Sequence, residues 1–178
     1  KLQYCVKTLD VDIIISHVKK IKTEFDVDCL NIQDDIFTLN RTRLYKILDF
    51  FAENNIKFRC MGRAGYDIEE TYKRLSESGC VQISWGIESG SQVILDRMNK
   101  MVKTQDNHNV IQWAKKYGIN SRAFFIIGFP GETEDTLKET KQFIINADPD
   151  QVFVSNMVPY PGTNVDNNPD RFDITKLY

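Results

Sequence analysis

The sequence predicts an α/β fold of parallel strands wound as a (β/α) barrel or partial barrel, and three observations carry that expectation. Short β-rich runs alternate with longer segments of helical period, the pattern of repeated βα units. Strand starts recur at about 28, 56, 81, 119 and 151, a supersecondary period of about 25 to 40 residues. All five strand ends carry unusual residues, and no Gly-x-Gly-x-x-Gly occurs. A doubly wound sheet gathers its functional residues at one switch point, whereas a barrel feeds every strand end to one rim.

Each element has a local reason. Val11, Ile14, Ile15 and Val18 mark one apolar face of a first helix. A strand over Asp28–Gln33 follows and ends in Gln33-Asp34-Asp35. Asn40 caps a helix over Arg41–Glu53, whose Leu44, Ile47, Leu48 and Phe51 share a face. Asn54-Asn55 ends it before the strand Ile56–Met61, which leads into Gly62-Arg63. Asp67 is positioned to cap Ile68–Glu77, and Gly79 precedes the strand Val81–Ile87 and its end Glu88-Ser89-Gly90. Ser91 is positioned to cap Gln92–Asn99. Gly118 precedes the strand Ser121–Ile127, which runs into Gly128-Phe129-Pro130-Gly131-Glu132, and Thr133 caps Glu134–Ile145. The last strand, Gln151–Met157, ends in Pro159-Tyr160-Pro161-Gly162-Thr163.

With 178 residues, 42% hydrophobic and 27% charged, the chain has the composition of an ordinary globular domain. No linker or low-complexity tract divides it, so one domain over 1–178 is expected. Its core spans roughly 10–163, with a polar, loosely held tail over 164–178. Twenty-three Lys and Arg against 25 Asp and Glu leave a net charge of -2, with no broad basic field for nucleic acid or anionic lipid. The most apolar run, Ala123–Phe129, falls far short of the roughly 18 residues of a membrane span, and no signal segment opens the chain. A cytoplasmic protein is expected. Cys5, Cys29, Cys60 and Cys80 have no short spacing and read as free thiols. Lys1 opens the chain without a Met, so a segment of a longer protein is expected.

The strand ends supply the candidate chemistry. Asp34 and Asp35 precede the helix cap by several residues, so capping does not explain them; they suit a metal, a cationic group or an ammonium, or form a solvated turn. Glu88 leaves a buried strand, where a charge is costly unless paired or functional, with an ion pair to Arg63 as the structural alternative. Gly128–Thr133 allows close backbone approach to a ligand or is simply a tight turn. Acidic Glu132, Glu134 and Asp135 disfavour phosphate at that helix start. Pro159–Thr163 is stiff enough to offer backbone groups and an aromatic face to a flat ring, or only stiffens a loop. His17 and His108 read as surface residues, and Trp85 and Trp113 as core. No P-loop or Gly-x-Ser-x-Gly is present.

Four motifs stand in order on these strand ends: Asp-Asp-Ile-Phe-Thr (34–38), Gly-Ile-Glu-Ser-Gly (86–90), Gly-Phe-Pro-Gly-Glu-Thr (128–133) and Pro-Tyr-Pro-Gly-Thr (159–163). Together they resemble the core of radical S-adenosylmethionine enzymes, most closely the branch with cobalamin-binding and methylthiotransferase-type members. The resemblance implies a partial (β/α)6 TIM-like barrel lacking its first strand. It also implies that the Cys-x3-Cys-x2-Cys loop holding a [4Fe-4S] cluster lies in the parent protein ahead of this segment, since Cys5 stands alone. No metal ligands are expected within the segment itself.

By the same resemblance, Gln33, Asp34 and Asp35 approach the methionine ammonium, for which carboxylates are suited. Glu88, with Ser89 beside it, faces the ribose or methionyl end, and Lys100 holds the methionine carboxylate. Backbone at Gly128–Pro130 and at Tyr160–Pro161 flanks adenine, and Arg63 lines the rim. The parent would cleave S-adenosylmethionine reductively to a 5′-deoxyadenosyl radical for a modification such as methylation or sulfur insertion. Cobalamin is a further cofactor of the branch, and a flavodoxin or ferredoxin would supply electrons. The residues leave two other readings open: a metal-dependent (β/α)-barrel hydrolase using Asp34, Asp35 and Glu88, and a non-catalytic binding module.

Overall fold

The computed structural model describes residues 8–163 and 165. In chain order the elements are α1 (Val11–Glu24), β1 (Leu30–Asn31), α2 (Arg41–Glu53), β2 (Phe58–Met61), α3 (Glu69–Glu77), β3 (Cys80–Glu88), α4 (Gln92–Arg97), α5 (Thr104–Lys116), β4 (Asn120–Ile127), α6 (Glu134–Ala147) and β5 (Gln151–Asn156). Every strand pairs parallel to the next, in the spatial order β1-β2-β3-β4-β5. A doubly wound sheet reverses its winding direction partway, whereas this order never turns back. The strands curl into a half-barrel whose helices cover the convex side, so all five strand ends feed one rim.

The convex side holds the core. Phe58 and Cys60 of β2, Ile83, Trp85 and Ile87 of β3, and Ala123 and Phe125 of β4 are buried there. They meet Leu44, Leu48 and Phe51 of α2, Tyr72 and Leu75 of α3, and Val110, Ile111 and Ala114 of α5, all buried. The Phe51 and Phe58 rings pack edge-on at 4.9 Å, and Phe125 meets Phe143 of α6 at 6.2 Å. Register then fixes what the concave side carries. Arg59, Gln82 and Asn120 pair in one row, and Met61, Ser84, Arg122 and Gln151 in the next. Gly86, Phe124 and Phe153 form the row above, toward the rim.

Asn40 accepts from the amide of Arg43 at 3.1 Å, and Thr133 forms a reciprocal capping pair with Thr136, as the sequence predicts. Asp67 and Ser91 do not cap. Asp67 is buried and accepts from the Tyr72 hydroxyl at 2.8 Å, and α3 begins only at Glu69. The Ser91 hydroxyl is buried without a hydrogen-bond partner among the described residues. β1 is shorter than the expected Asp28–Gln33 because it pairs on one side only: Leu30 and Ile32 donate to Lys57 and Arg59 of the β2 segment, and no strand lies on its other side among the described residues. α4 stops at Arg97, not Asn99, because the backbone turns left-handed at Asn99 and Met101.

His17 is exposed as expected, whereas His108 is half-buried against Phe143. Trp85 is fully buried, and Trp113 lies half-buried at the margin of the core, 5.6 Å from Tyr72. Among the described residues β5 is the last strand of the sheet, with Val152, Phe153 and Val154 exposed. Cys5 and the expected tail, apart from Val165, lie outside the described residues; Val165 is buried beside Ile94 and Phe129. Among the described residues, no helix is long and apolar enough to cross a membrane.

Candidate functional site

The centre of the rim is a carboxylate held by a lysine. Glu88 ends β3 in a left-handed conformation, φ 66°, at a bulge where the register shifts between Gly86 and Glu88. A non-glycine residue in this region stores strain that the surroundings must hold, a common property of functional positions. Its Oε1 lies 2.7 Å from Nζ of Lys100. Lys100 reaches it because Asn99 (φ 54°) and Met101 (φ 51°) flank it with left-handed backbone and fold the loop after α4 back over the strand end. Gly86 makes the room: a Cβ there would stand 2.3 Å from Glu88 Oε1 and 3.3 Å from Lys100 Nζ.

The expected alternative partner, Arg63, does not pair with Glu88. It donates to the Lys100 carbonyl oxygen at 3.3 Å and lies over the Tyr66 ring at 5.2 Å, so it braces the lysine loop from β2. Lys100, inferred above from resemblance alone, is the residue that contacts Glu88.

The turn after Glu88 is anchored to α6. The Thr140 hydroxyl shares a hydrogen bond with the Ser89 hydroxyl at 3.0 Å and accepts from the Gly90 amide at 3.1 Å. Ser89 is completely buried, so its hydroxyl supports the turn. Gly90 sits so close to α6 that a Cβ would fall 2.7 Å from Thr140 Cα and 2.4 Å from Phe143 Cβ. Asn107 of α5 donates to the Ile87 carbonyl at 3.2 Å and fixes the strand end from behind.

Gly128 follows β4 at φ 78°, with open space where a Cβ would be. Its amide donates to Glu132 Oε2 at 2.5 Å. Burial pushes the Glu132 carboxyl above its ordinary pKa, partly offset by that amide. Glu132 therefore serves its own turn, while Pro130 and Phe129 are buried beneath it.

Gln33, Asp34 and Asp35 are exposed on the rim beyond β1. Asp34 is paired with Arg43 of α2 at 3.3 Å, a partner the sequence reading did not assign. These residues border an open groove of about 1170 Å³ between β1, α1 and α2, lined also by Ile14, Ile47 and Phe51. Tyr160 is 72% exposed, and its carbonyl accepts from the amide and hydroxyl of Thr163 in a tight turn, with Pro161 exposed beside it.

The hydrolase alternative finds no support in this geometry. Asp34 and Glu88 are each held by a cation, and no three His, Cys, Asp or Glu side chains converge among the described residues. The same finding answers the cluster: Cys60 and Cys80 are buried while Cys29 is exposed, so the described residues do not fit a [4Fe-4S] group.

A parallel half-barrel with a strained acidic residue at the end of its middle strand defines the class, an α/β partial barrel with its candidate site on the strand-end rim. The chain matches the Radical SAM superfamily over residues 3–144 and belongs to it. It is 32% identical over 157 residues to an uncharacterized methyltransferase of Pyrococcus horikoshii, covering 87% of this chain and 34% of that protein. It is 34% identical over 132 residues to a protein named as a methylthiotransferase in Methanocaldococcus jannaschii, covering 72% and 29%. The fold matches the radical S-adenosylmethionine methyltransferase TsrM of Kitasatospora setae, solved with cobalamin and a [4Fe-4S] cluster, with TM-score 0.78 at 14% identity over 88% of this chain and 30% of that one. The chain spans about a third of the length of these curated relatives.

Proposed function

We propose that this chain forms the S-adenosylmethionine-binding side of a radical enzyme that modifies its substrate by methylation or sulfur insertion. The observation that carries the reading is the Glu88–Lys100 pair, poised on the rim with Gly86 cleared beneath it. The methionyl end of S-adenosylmethionine carries an ammonium and a carboxylate, which match Glu88 and Lys100 in charge. On binding, the ligand exchanges the internal ion pair for two charge-assisted contacts, Lys100 to its carboxylate and Glu88 to its ammonium or ribose hydroxyls. Asp35 offers a second carboxylate to the ammonium from the end of β1. The open space over Gly128 and the face of Tyr160 receive the adenine. Arg63 keeps the lysine loop in place.

In the whole protein a [4Fe-4S] cluster, with ligands outside the described residues, would supply the electron that cleaves S-adenosylmethionine to a 5′-deoxyadenosyl radical. A flavodoxin or ferredoxin in the cytoplasm would supply that electron in turn, and cobalamin is a cofactor of proteins of similar fold. The test uses the intact protein, purified without oxygen and given S-adenosylmethionine and a chemical reductant. Release of 5′-deoxyadenosine or S-adenosylhomocysteine, lost in Glu88→Ala, is the expected result. Hydrolysis that needs only a divalent metal would instead favour the hydrolase.

A further inference from the structure

The rim accounts for Glu88 and Lys100 but not for a second charged side chain deeper in the half-barrel. Arg122 lies on the concave side of β4, opposite the buried Ala123 and Phe125. Its Nε donates to Gln151 Oε1 at 2.8 Å, and its guanidinium lies 5.1 Å from the centre of the Phe153 ring. One nitrogen and one ring face thus orient the group, while its two terminal nitrogens have no acceptor and no carboxylate pairs with it among the described residues. A half-buried guanidinium held in a fixed orientation with its fork unused is prepared for an oxyanion, because two parallel N–H donors match a carboxylate or phosphate edge.

The surroundings agree in charge and shape. The two polar rows of the concave face hold Arg59 and Arg122 but no acidic residue, and the Gln82 side-chain amide donates to Asn120 Oδ1 at 2.8 Å. Toward the rim, Glu88 at the end of β3 is already taken by Lys100. Immediately above Arg122 in the direction of the rim, Phe124 and Phe153 lie 5.5 Å apart and present an apolar wall. Arg122 lies three residues below Phe125, the register partner of Glu88, a rise of about 10 Å.

We infer that Arg122 is a specificity-determining residue that anchors the oxyanion of a small, partly apolar substrate, whose body rests against Phe124 and Phe153 and whose other end reaches toward the rim. The inference rests on the S-adenosylmethionine reading only in assigning the bound anion as the substrate and not as the cofactor.

The test titrates the intact protein with phenylacetate, phenyl phosphate and the neutral phenylacetamide, read by saturation-transfer NMR of the ligand and by the Arg122 Nε–H signal. One of the anions should bind and shift that signal at millimolar concentration, and the amide should not; which anion binds more tightly separates a carboxylate substrate from a phosphate one. Arg122→Gln should weaken anion binding about tenfold or more, and Arg122→Lys should recover part of it. Both variants should keep the wild-type melting profile and S-adenosylmethionine affinity. Equal binding of anion and amide, no anion binding at all, or an Arg122→Gln protein that binds anions normally would overturn the proposal. Loss of S-adenosylmethionine binding by the wild type would instead fault the rim reading and leave this result readable.

Discussion

Replacing Gly86 with alanine should break the Glu88–Lys100 pair, and the size of the effect follows from two opposed contributions. Alanine in a strand interior gains about 0.5–1 kcal/mol over glycine through backbone entropy. Against this, the new Cβ would lie 2.3 Å from Glu88 Oε1, closer than any non-bonded contact, so the carboxylate must swing away. The bulge holds the Glu88 backbone at φ 66°, and the side chain cannot withdraw while keeping its 2.7 Å contact with Lys100. The side chains of Lys100 and Glu88 are only 29% and 16% exposed, so losing this charged hydrogen bond costs about 1.5–3 kcal/mol. The net is a loss of about 1–2 kcal/mol, or about 2–8 °C in Tm for a chain of this size. Thermal unfolding of Gly86→Ala, Glu88→Ala and the double variant measures it. Without the Glu88 carboxylate the added methyl meets only the flexible Lys100 tip at 3.3 Å, which can yield, so Gly86→Ala should become neutral or mildly stabilising, a coupling of about 1–3 kcal/mol. Equal cost in both backgrounds, or no cost in the wild type, would refute the steric argument.

Tyr72→Phe should destabilise by about 2–4 kcal/mol in urea unfolding, because the lost hydroxyl strands two buried groups, Asp67 and the Trp85 indole N–H. Gly90→Ala should cost about 3 kcal/mol by the same measurement, since its Cβ meets the Thr140 and Phe143 backbone region of α6 with no flexible tip to yield. Thr140→Val should speed hydrogen exchange at the Gly90 amide, whose acceptor it removes. Asp150 accepts from the hydroxyl and amide of Ser121, which holds its carboxyl below the ordinary pKa. A depressed folded-state pKa gives stability that is present above the unfolded value, about 3.9, and lost as pH falls through the folded one. Asp150→Asn should therefore flatten the acid limb of the stability profile, read as urea midpoints between about pH 5 and pH 3.

The order and type of the elements were legible because each strand and helix carries its own period and its own stop. Asn40 and Thr133 cap because nothing else claims their side chains. Asp67 shows where that reasoning ends: it has a cap's composition and position, but the Tyr72 hydroxyl and the buried space under Gly62 draw it into the core. Glu88 was recognisable as a costly charge at a strand end, yet its partner was not. Arg63 leaves the neighbouring strand end, whereas Lys100 reaches Glu88 through two left-handed residues, one of them Met101, which has no intrinsic preference for that conformation. Gly86 stood out only as the first residue of the Gly-Ile-Glu-Ser-Gly motif, and its role, to lack a side chain beneath the Glu88 carboxylate, shows only in the structure. Arg122 reads in the sequence as one of three polar residues that open β4, and only the register with Gln151 and Phe153 shows it to be held and, among the described residues, without a carboxylate partner.

The central claim is that the Glu88–Lys100 pair is where the methionyl end of S-adenosylmethionine binds. Calorimetric titration of S-adenosylmethionine into the intact, anaerobically prepared protein tests it most directly, comparing wild type with Glu88→Gln and Lys100→Met. Each variant loses one charged contact, so the affinity should fall about tenfold or more in both while the fold stays intact by circular dichroism. Unchanged affinity in both folded variants would contradict the account.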